Sequence, residues 1–312
     1  MIEKPLLVVV GPTAVGKSSL AIRLALALNA EIVSADSRYL YRELEIGVAK
    51  PSFEDLTTVK HHLINVARLS NPWNLGLYKQ SATQIISEIH LRNRLPILTG
   101  GTGQYVRSIL QNWQIPSHGP VSQLREDLET IGDHIGFDKL YEILSAIDPQ
   151  AAAIIDYRNH RRTIRALEVI LSTGKKFSDL RNKDEPPYNT LIIGLELPRE
   201  VLFTKIDERV DAMISQGLVG EVQKLLDAGL GPALEKMRVI GYQEIIAHLR
   251  GEISLEEAVA LIKRNTRAYV RRQANWFKPT DPDIHWLNAQ DPALFENALD
   301  LVEINFGIKP AR

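Results

Sequence analysis

The chain has no cysteine among its 312 residues. That excludes disulfides, thiol nucleophiles and cysteine-ligated zinc sites, and it fits a cytoplasmic address. No apolar run approaches the roughly 18 to 20 residues of a membrane span, so no membrane association is expected. The opening "MIEKPLLVVVGPT" lacks a basic-then-apolar leader pattern and reads as a first β-strand. Net charge is also nearly absent: 37 Lys and Arg face 38 Asp and Glu, for a formal −1. A nucleic-acid partner would have to be held by local patches rather than by a global field. Repeats, low-complexity tracts and long linkers are missing too. The remainder, 45% hydrophobic and 24% charged, is ordinary globular composition, enough for one large domain or two smaller ones.

The strongest local signal is "LLVVVGPTAVGKSSLA" at the start of the chain. A strand, Leu6 to Val10, runs into Gly11, Pro12, Thr13, Ala14, Val15, Gly16, Lys17 and Ser18, which match G-x-x-x-x-G-K-[ST]. Leu20, Leu24, Ala27 and Leu28 then follow at helical spacing. Such a loop turns successive backbone N–H groups and a helix N-terminus onto an anion, with Lys17 adding a charge and Ser18 a Mg²⁺ ligand. A nucleoside triphosphate is the usual occupant, but the motif reports only a diphosphate-shaped anion.

Further strands are expected at Glu31–Ser34, in "HHLINV" from His61 and at Pro96–Thr99, with a helix over about Leu75–Asn93. Strands alternating with helices predict an α/β fold. Its core is a P-loop NTPase-like parallel sheet, with phosphate chemistry at the carboxyl ends of the strands. From about Val121 to Pro187 the period is helical throughout, and "EPP" at Glu185–Pro187 punctuates the return to a strand at Asn189–Pro198. The expected organisation is a first core part (residues 1–120), a helical insertion domain (121–187) and a second core part (188–312). The second core part is expected to be mostly helical after its strand, over Arg199–Ala228, Gly241–Arg250 and Leu255–Phe277.

Two runs concentrate positive charge. In "RNHRRTIR", Arg158, Arg161, Arg162 and Arg165 fall at i, i+3, i+4 and i+7, and no carboxylate is interleaved before Glu168. "KRNTRAYVRRQANWFK", Lys263 to Lys278, carries six basic residues and no acidic one, with Lys263, Arg267 and Arg271 on one stripe. Each is either a solvated helix face or a grip on phosphates and bases, with the aromatics either stacking or docking the helix. Asp36, just after the second strand, could hold Mg²⁺, act as a general base or cap a helix. Thr102, in "GGTG", stands where its hydroxyl could face an anion.

Several further blocks complete the pattern: "SADSRYLYRELEIGVAKP", "HHLI", "PILTGGTGQY", "DPQAAAII…RRTIRALEV", "RVDAMISQGLVGEV", "VIGYQE" and "TRAYVRRQANWF". In this order, over roughly residues 5 to 288, the chain resembles the tRNA dimethylallyltransferases, and without the C-terminal zinc finger of eukaryotic members it is expected to be bacterial or organellar in type. The resemblance implies transfer of a dimethylallyl group from dimethylallyl diphosphate to N6 of the adenosine 3′ of the anticodon. The P-loop, residues Gly11 to Ser18, would then cradle the donor diphosphate with Mg²⁺. Asp36 is implied as the base, Thr102 as a contact to the donor's bridging oxygen, and Arg209 as a diphosphate clamp. The implied tRNA surface comprises Asp36, Ser37, Arg38, Tyr39, Arg125, Arg158, Arg161, Arg162, Thr163, Ile164, Arg165, Lys263, Arg267 and Arg271, gripping the anticodon stem-loop. A monomer is expected. The chain departs from the family pattern at Tyr39, where Gln is usual; at Asn65, where Asp is commoner; at Arg158 and Asn159, which replace an Asn-Asp pair; and at Ile154, a usual Arg. An adenylate isopentenyltransferase acting on free nucleotide and an ATP-dependent small-molecule kinase share the loop and the carboxylate. The basic runs argue against both.

Overall fold

The computed structural model describes residues 4–115, 122–179 and 187–310. The expected boundary at Val121, and Glu185 and Pro186 of the second boundary, lie outside them. The chain divides into two compact units: one holds residues 1–73, 81–106 and 188–312, the other 74–80 and 107–187.

In chain order the strands are β1 (Pro5–Val10), β2 (Glu31–Ser34), β3 (His61–His62), β4 (Pro96–Thr99), β5 (Asn189–Glu196) and β6 (Ile284–Asn288). The helices are α1 (Lys17–Ala27), α2 (Phe53–Thr58), α3 (Leu75–Leu91), α4 (Gly103–Leu110), α5 (Ser122–Ile135), α6 (Phe137–Ile147), α7 (Pro149–Ile154), α8 (His160–Thr173), α9 (Arg199–Ser215), α10 (Leu218–Asp227), α11 (Gly231–Met237), α12 (Tyr242–Leu249), α13 (Leu255–Gln273) and α14 (Leu294–Phe306). No described helix is long and apolar enough to cross a membrane.

The six strands form one sheet in the order β3-β2-β4-β1-β5-β6, and every pairing is parallel. A parallel sheet covered on both faces needs apolar runs rather than alternation. Leu6 to Val10 meet that demand, all wholly buried. Leu20, Leu24, Leu202, Ile206, Val270, Ala298 and Val302 pack against one side of this sheet. The chain leaves β1 across β4 to reach β2, and leaves β4 across β1 to reach β5, so these two neighbouring strands run off in opposite directions and the loop after β1 lies at a topological switch point. The second unit has its own core, built from Leu128, Leu140, Leu144, Ala151, Ile155, Ile164 and Leu167 of α5–α8 and their connections.

β6 and α14 are elements that the sequence reading did not assign. The expected Arg199–Ala228 helix is two helices, because Gly217 takes φ 100°, a left-handed conformation that interrupts the ladder between α9 and α10.

Away from the strand carboxyl ends, Glu31 opens β2 with 0% exposure. Its carboxylate contacts His62 and Arg92 at 2.7 Å, Arg94 at 3.4 Å and Lys60 at 3.6 Å. Burial raises its pKa, but the hydrogen bonds from Arg92 and His62 outweigh that and hold it down to about 2. Glu31→Gln would leave these cations crowded without an anion. The variant should lose about 1–3 kcal/mol at pH 7. A depressed carboxylate stabilises above its unfolded pKa and loses that contribution as protons return. Urea melts should therefore show the gap narrowing as pH falls from about 4.5 toward 2. A gap constant over that range contradicts this account.

Candidate active site

The phosphate loop leaves β1 at Gly11, and Ala14 takes φ 68° and Gly16 φ 106° before α1 begins. Left-handed residues within such a loop turn consecutive N–H groups to one side. Gly16 precedes the helix without a side-chain cap, and no acidic residue occupies the first turn. The first N–H groups of α1 thus have no intrahelical acceptor and present positive potential.

A second glycine turn, "GGTG", follows β4 and is stitched to the loop after β2. Ala35 N donates to Thr99 O at 2.7 Å and Thr102 N to Ala35 O at 3.1 Å. A Cβ on Gly100 would come within 2.2 Å of the Ala35 carbonyl carbon, so only glycine permits this approach. The result fixes Asp36 at the sheet's edge facing the phosphate loop.

Two cavities meet there. The first, about 610 Å³, is lined by Thr13, Lys17, Ser18, Asp36, Tyr39, Lys50 and Arg209 among others. The second, about 390 Å³, has an apolar wall of Val48, Ile206, Val210, Met213 and Ile262 and is also lined by Tyr269 and by Arg38, Arg209, Arg238 and Arg272. Thr13, Asp36 and Arg209 line both. Asp36 Oδ1 accepts from Arg38 N at 2.9 Å, while Oδ2 has no hydrogen-bond partner among the described residues. Arg209 donates from Nη2 to Val48 O at 3.0 Å.

The first cavity gathers Lys17, Lys50, Lys205 and Arg209 against Asp36, Asp55 and Glu208, a positive lining. Lys17 lies at its floor, enclosed by protein atoms yet open to solvent through the cavity, and donates to Pro12 O at 2.7 Å. Desolvation lowers its pKa to about 8, against the pull of Asp36 and with the push of Arg209. Lys50, hydrogen-bonded to Asn65 Oδ1 at 2.6 Å, is lowered to about 8 by the same desolvation. An anion in this cavity would favour both ammonium forms and raise both values. Diphosphate binding at pH 8 should therefore take up protons, up to about one per site. Calorimetry in two buffers of different ionisation enthalpy reads that number directly; proton release would contradict it.

The structure brings together Thr13, Ala14, Gly16, Lys17, Ser18, Asp36, Tyr39 and Arg209 at the first cavity. Other expected residues lie elsewhere. Gly11 and Pro12 line a separate apolar cavity behind the loop, and Val15 is core. Thr102 Oγ1 accepts from Ser37 N at 3.0 Å and is 3.2 Å from Ser37 Oγ, so it fixes the Asp36 loop from below. Arg38 donates from Nη2 to Met237 O at 3.1 Å and, with Ser37, lines the second cavity.

The basic runs are more neutralised than the sequence suggested. Arg158 precedes α8 instead of joining its face, and it pairs with Asp156 at 2.7 Å. Arg125 and Arg165 converge on the buried Glu168 at 2.9 and 3.0 Å. Thr163 and Ile164, 1% and 3% exposed, have no side-chain surface to offer RNA. Lys263 pairs with Asp211 at 2.7 Å, and Arg267 pairs with Asp207 and lies over Phe203, so both fasten α13 to α9. Arg161, Arg162 and Arg271 form no ion pair among the described residues, and Arg161 and Arg271 are exposed.

One important residue had no sequence signal. Gln273, 6% exposed, accepts through Oε1 from Thr13 N at 2.9 Å and from Thr13 Oγ1 at 3.2 Å. Its Nε2 donates to Gly101 O at 2.9 Å. One amide therefore clasps the phosphate loop to the glycine turn, 260 residues apart from Thr13 in sequence. A lone Gln inside a basic run shows no periodicity that could reveal this.

Comparison with known proteins matches this architecture. The family model described as IPP transferase covers residues 39–280. A tRNA dimethylallyltransferase of Thermomicrobium roseum is 43% identical over 301 residues, 96% of this chain and 91% of the relative. The full-length tRNA isopentenylpyrophosphate transferase of Bacillus halodurans superposes with TM-score 0.69 at 38% identity, covering 98% and 96% of the two chains. A eukaryotic dimethylallyltransferase acting on tRNA gives TM-score 0.80 at 28% identity, over 97% of this chain and 76% of its own. More than half of the chain falls within one family model and nearly all of it aligns with that family's members, so the chain belongs to the IPP transferase family and is a transferase.

Proposed function

We propose that the chain transfers a dimethylallyl group from dimethylallyl diphosphate to N6 of the adenosine 3′ of the anticodon in tRNA, acting as a cytoplasmic monomer. The observation that carries this is the pair of cavities sharing Asp36 and Arg209. One carries the phosphate loop with Lys17 and Ser18 and suits a diphosphate; the other sets an apolar wall opposite Tyr269 and four arginines and suits an extruded purine, with its flanking phosphates, beside a five-carbon chain.

An adenine amine is a weak nucleophile because its lone pair is delocalised into the ring. It has to be aligned with the allylic carbon and relieved of a proton. N6 attacks, the carbon–oxygen bond to diphosphate breaks, and the N6 proton passes to Asp36 Oδ2. Lys17, Arg209 and the first amides of α1 stabilise charge growing on the departing diphosphate. Mg²⁺ takes one or two protein oxygens plus substrate phosphates and keeps several waters. Ser18 on the first cavity, with no group of three or more His, Asp or Glu suited to a metal among the described residues, fits that mode rather than an all-protein cage. When bound, the ion would neutralise diphosphate charge.

Arg161 and Arg162, with no carboxylate partner among the described residues, are the insertion's best candidates for phosphates of the stem-loop. Replacing both with Ala should weaken tRNA binding and reduce the slope of log K against log salt by about 1–2. An unaltered slope would place them in plain solvent.

The function itself is tested by incubating the protein with dimethylallyl diphosphate, Mg²⁺ and either unmodified tRNA or AMP, then measuring nucleoside masses. Dimethylallyladenosine in tRNA alone is expected. Product from AMP alone, or from neither, overturns the reading.

A further inference from the structure

Tyr39 was expected to face RNA, yet its phenol lines the cationic cavity and is absent from the lining of the second one. Its hydroxyl donates to Ala49 O at 2.8 Å. That single O–H being used, the remaining lone pairs are left to the neighbouring Arg209 guanidinium, which lines the same cavity. Arg209 donates to Val48 O, the carbonyl next to the one the phenol holds, so phenol and guanidinium are seated side by side on one short segment. The segment is itself rigid. Residues Ile46–Val48 form a 3₁₀ turn ended by Ala49 in the left-handed region, φ 49°. Ile46 N is fixed by Glu221 Oε2 at 2.6 Å. Tyr39's own carbonyl accepts from Asn65 N at 2.9 Å, which anchors the ring from behind.

We infer that Tyr39 is a positioning residue of the diphosphate cavity: its hydroxyl, locked on Ala49 O, aims Arg209 at the leaving group, and it takes no part in reading RNA. The inference rests on the functional reading above. Burial, with the nearby Asp36 charge, pushes the phenol up to about 12, so it stays protonated through the working pH range and keeps donating to Ala49. Without the hydroxyl, one guanidinium N–H loses its acceptor and the Ala49 carbonyl loses its donor. Arg209 can then swing, and a planar fork that has lost its aim contributes less to a charge that develops only as the bond breaks.

The test is Tyr39→Phe, which keeps the ring and deletes one oxygen. Three readouts are compared with the parent protein: affinity for inorganic diphosphate by calorimetry, affinity for unmodified tRNA, and single-turnover transfer. Diphosphate affinity and transfer should each fall about tenfold or more, as for loss of a hydrogen bond to a charged group, with tRNA affinity within about twofold. In an Arg209→Ala background the same substitution should change diphosphate affinity by less than about twofold, because it acts through that side chain. Weakened tRNA binding with unchanged diphosphate affinity, or fully additive effects of the two substitutions, overturns the inference. Diphosphate binding needs no turnover, so the two readings fail separately. A parent protein that binds diphosphate through Tyr39 and Arg209 but never alkylates tRNA would sink the functional reading alone.

Discussion

Asp36→Asn should lower single-turnover transfer by about 10²- to 10⁴-fold and leave donor and tRNA affinities nearly unchanged. Asparagine keeps the shape of the side chain, and its carbonyl oxygen can still accept from Arg38 N as Oδ1 does now. The loop after β2 therefore keeps its turn, and its ties to Thr99 and Thr102 are made by backbone atoms of Ala35. What the amide lacks is the capacity to take the N6 proton. The attacking amine would have to shed that proton to water in a cavity wall where Asp36 is the carboxylate common to both chambers. Binding and chemistry thus separate cleanly in this variant. Transfer within tenfold of the parent rate would mean that the carboxylate is not the base.

Arg209→Met should cost about 10²- to 10³-fold in transfer, with a smaller loss in tRNA binding. Among the described residues, Arg209 is the one cation that lines both cavities. Its helix is held in place by Lys263–Asp211 and Arg267–Asp207, which flank it in sequence on α9. Methionine preserves packing beside Val48 and removes the fork. Arg209→Lys should recover only part of the loss, because a point charge on a flexible stem cannot bond Val48 O, the Tyr39 hydroxyl and a phosphate oxygen together. Full recovery by lysine would reduce the residue's role to simple charge.

The parts of this fold that were legible in the sequence are the local ones. β1, the glycine loop and α1 are adjacent in the chain, and their residue types encode the phosphate nest directly. β2 and β4 stand as expected because their apolar runs end in turn residues. β6 escaped because an edge strand of five residues, bracketed by Asp281–Asp283 and Asn288–Asp291, has too little pattern to stand out from the helices around it. The ion pairs within the basic runs were hidden for a different reason. Glu168 answers Arg125 across 43 residues, and Asp207 answers Arg267 across 60. Counting charges along a segment cannot see partners that tertiary packing supplies. Gln273 and Tyr39 belong to the same class, since each acquires its task from backbone atoms far away or from a turn's shape.

The central claim is geometric: Asp36 stands between leaving group and nucleophile, within reach of the amine. A structure of the protein with tRNA and a non-reactive thiodiphosphate analogue of the donor measures it directly. The account requires the target adenine flipped into the second chamber, its N6 about 2.6–3.2 Å from an Asp36 oxygen, and the diphosphate on the loop beside Lys17. An Asp36 carboxylate turned away from the amine, with another group in that place, would contradict it.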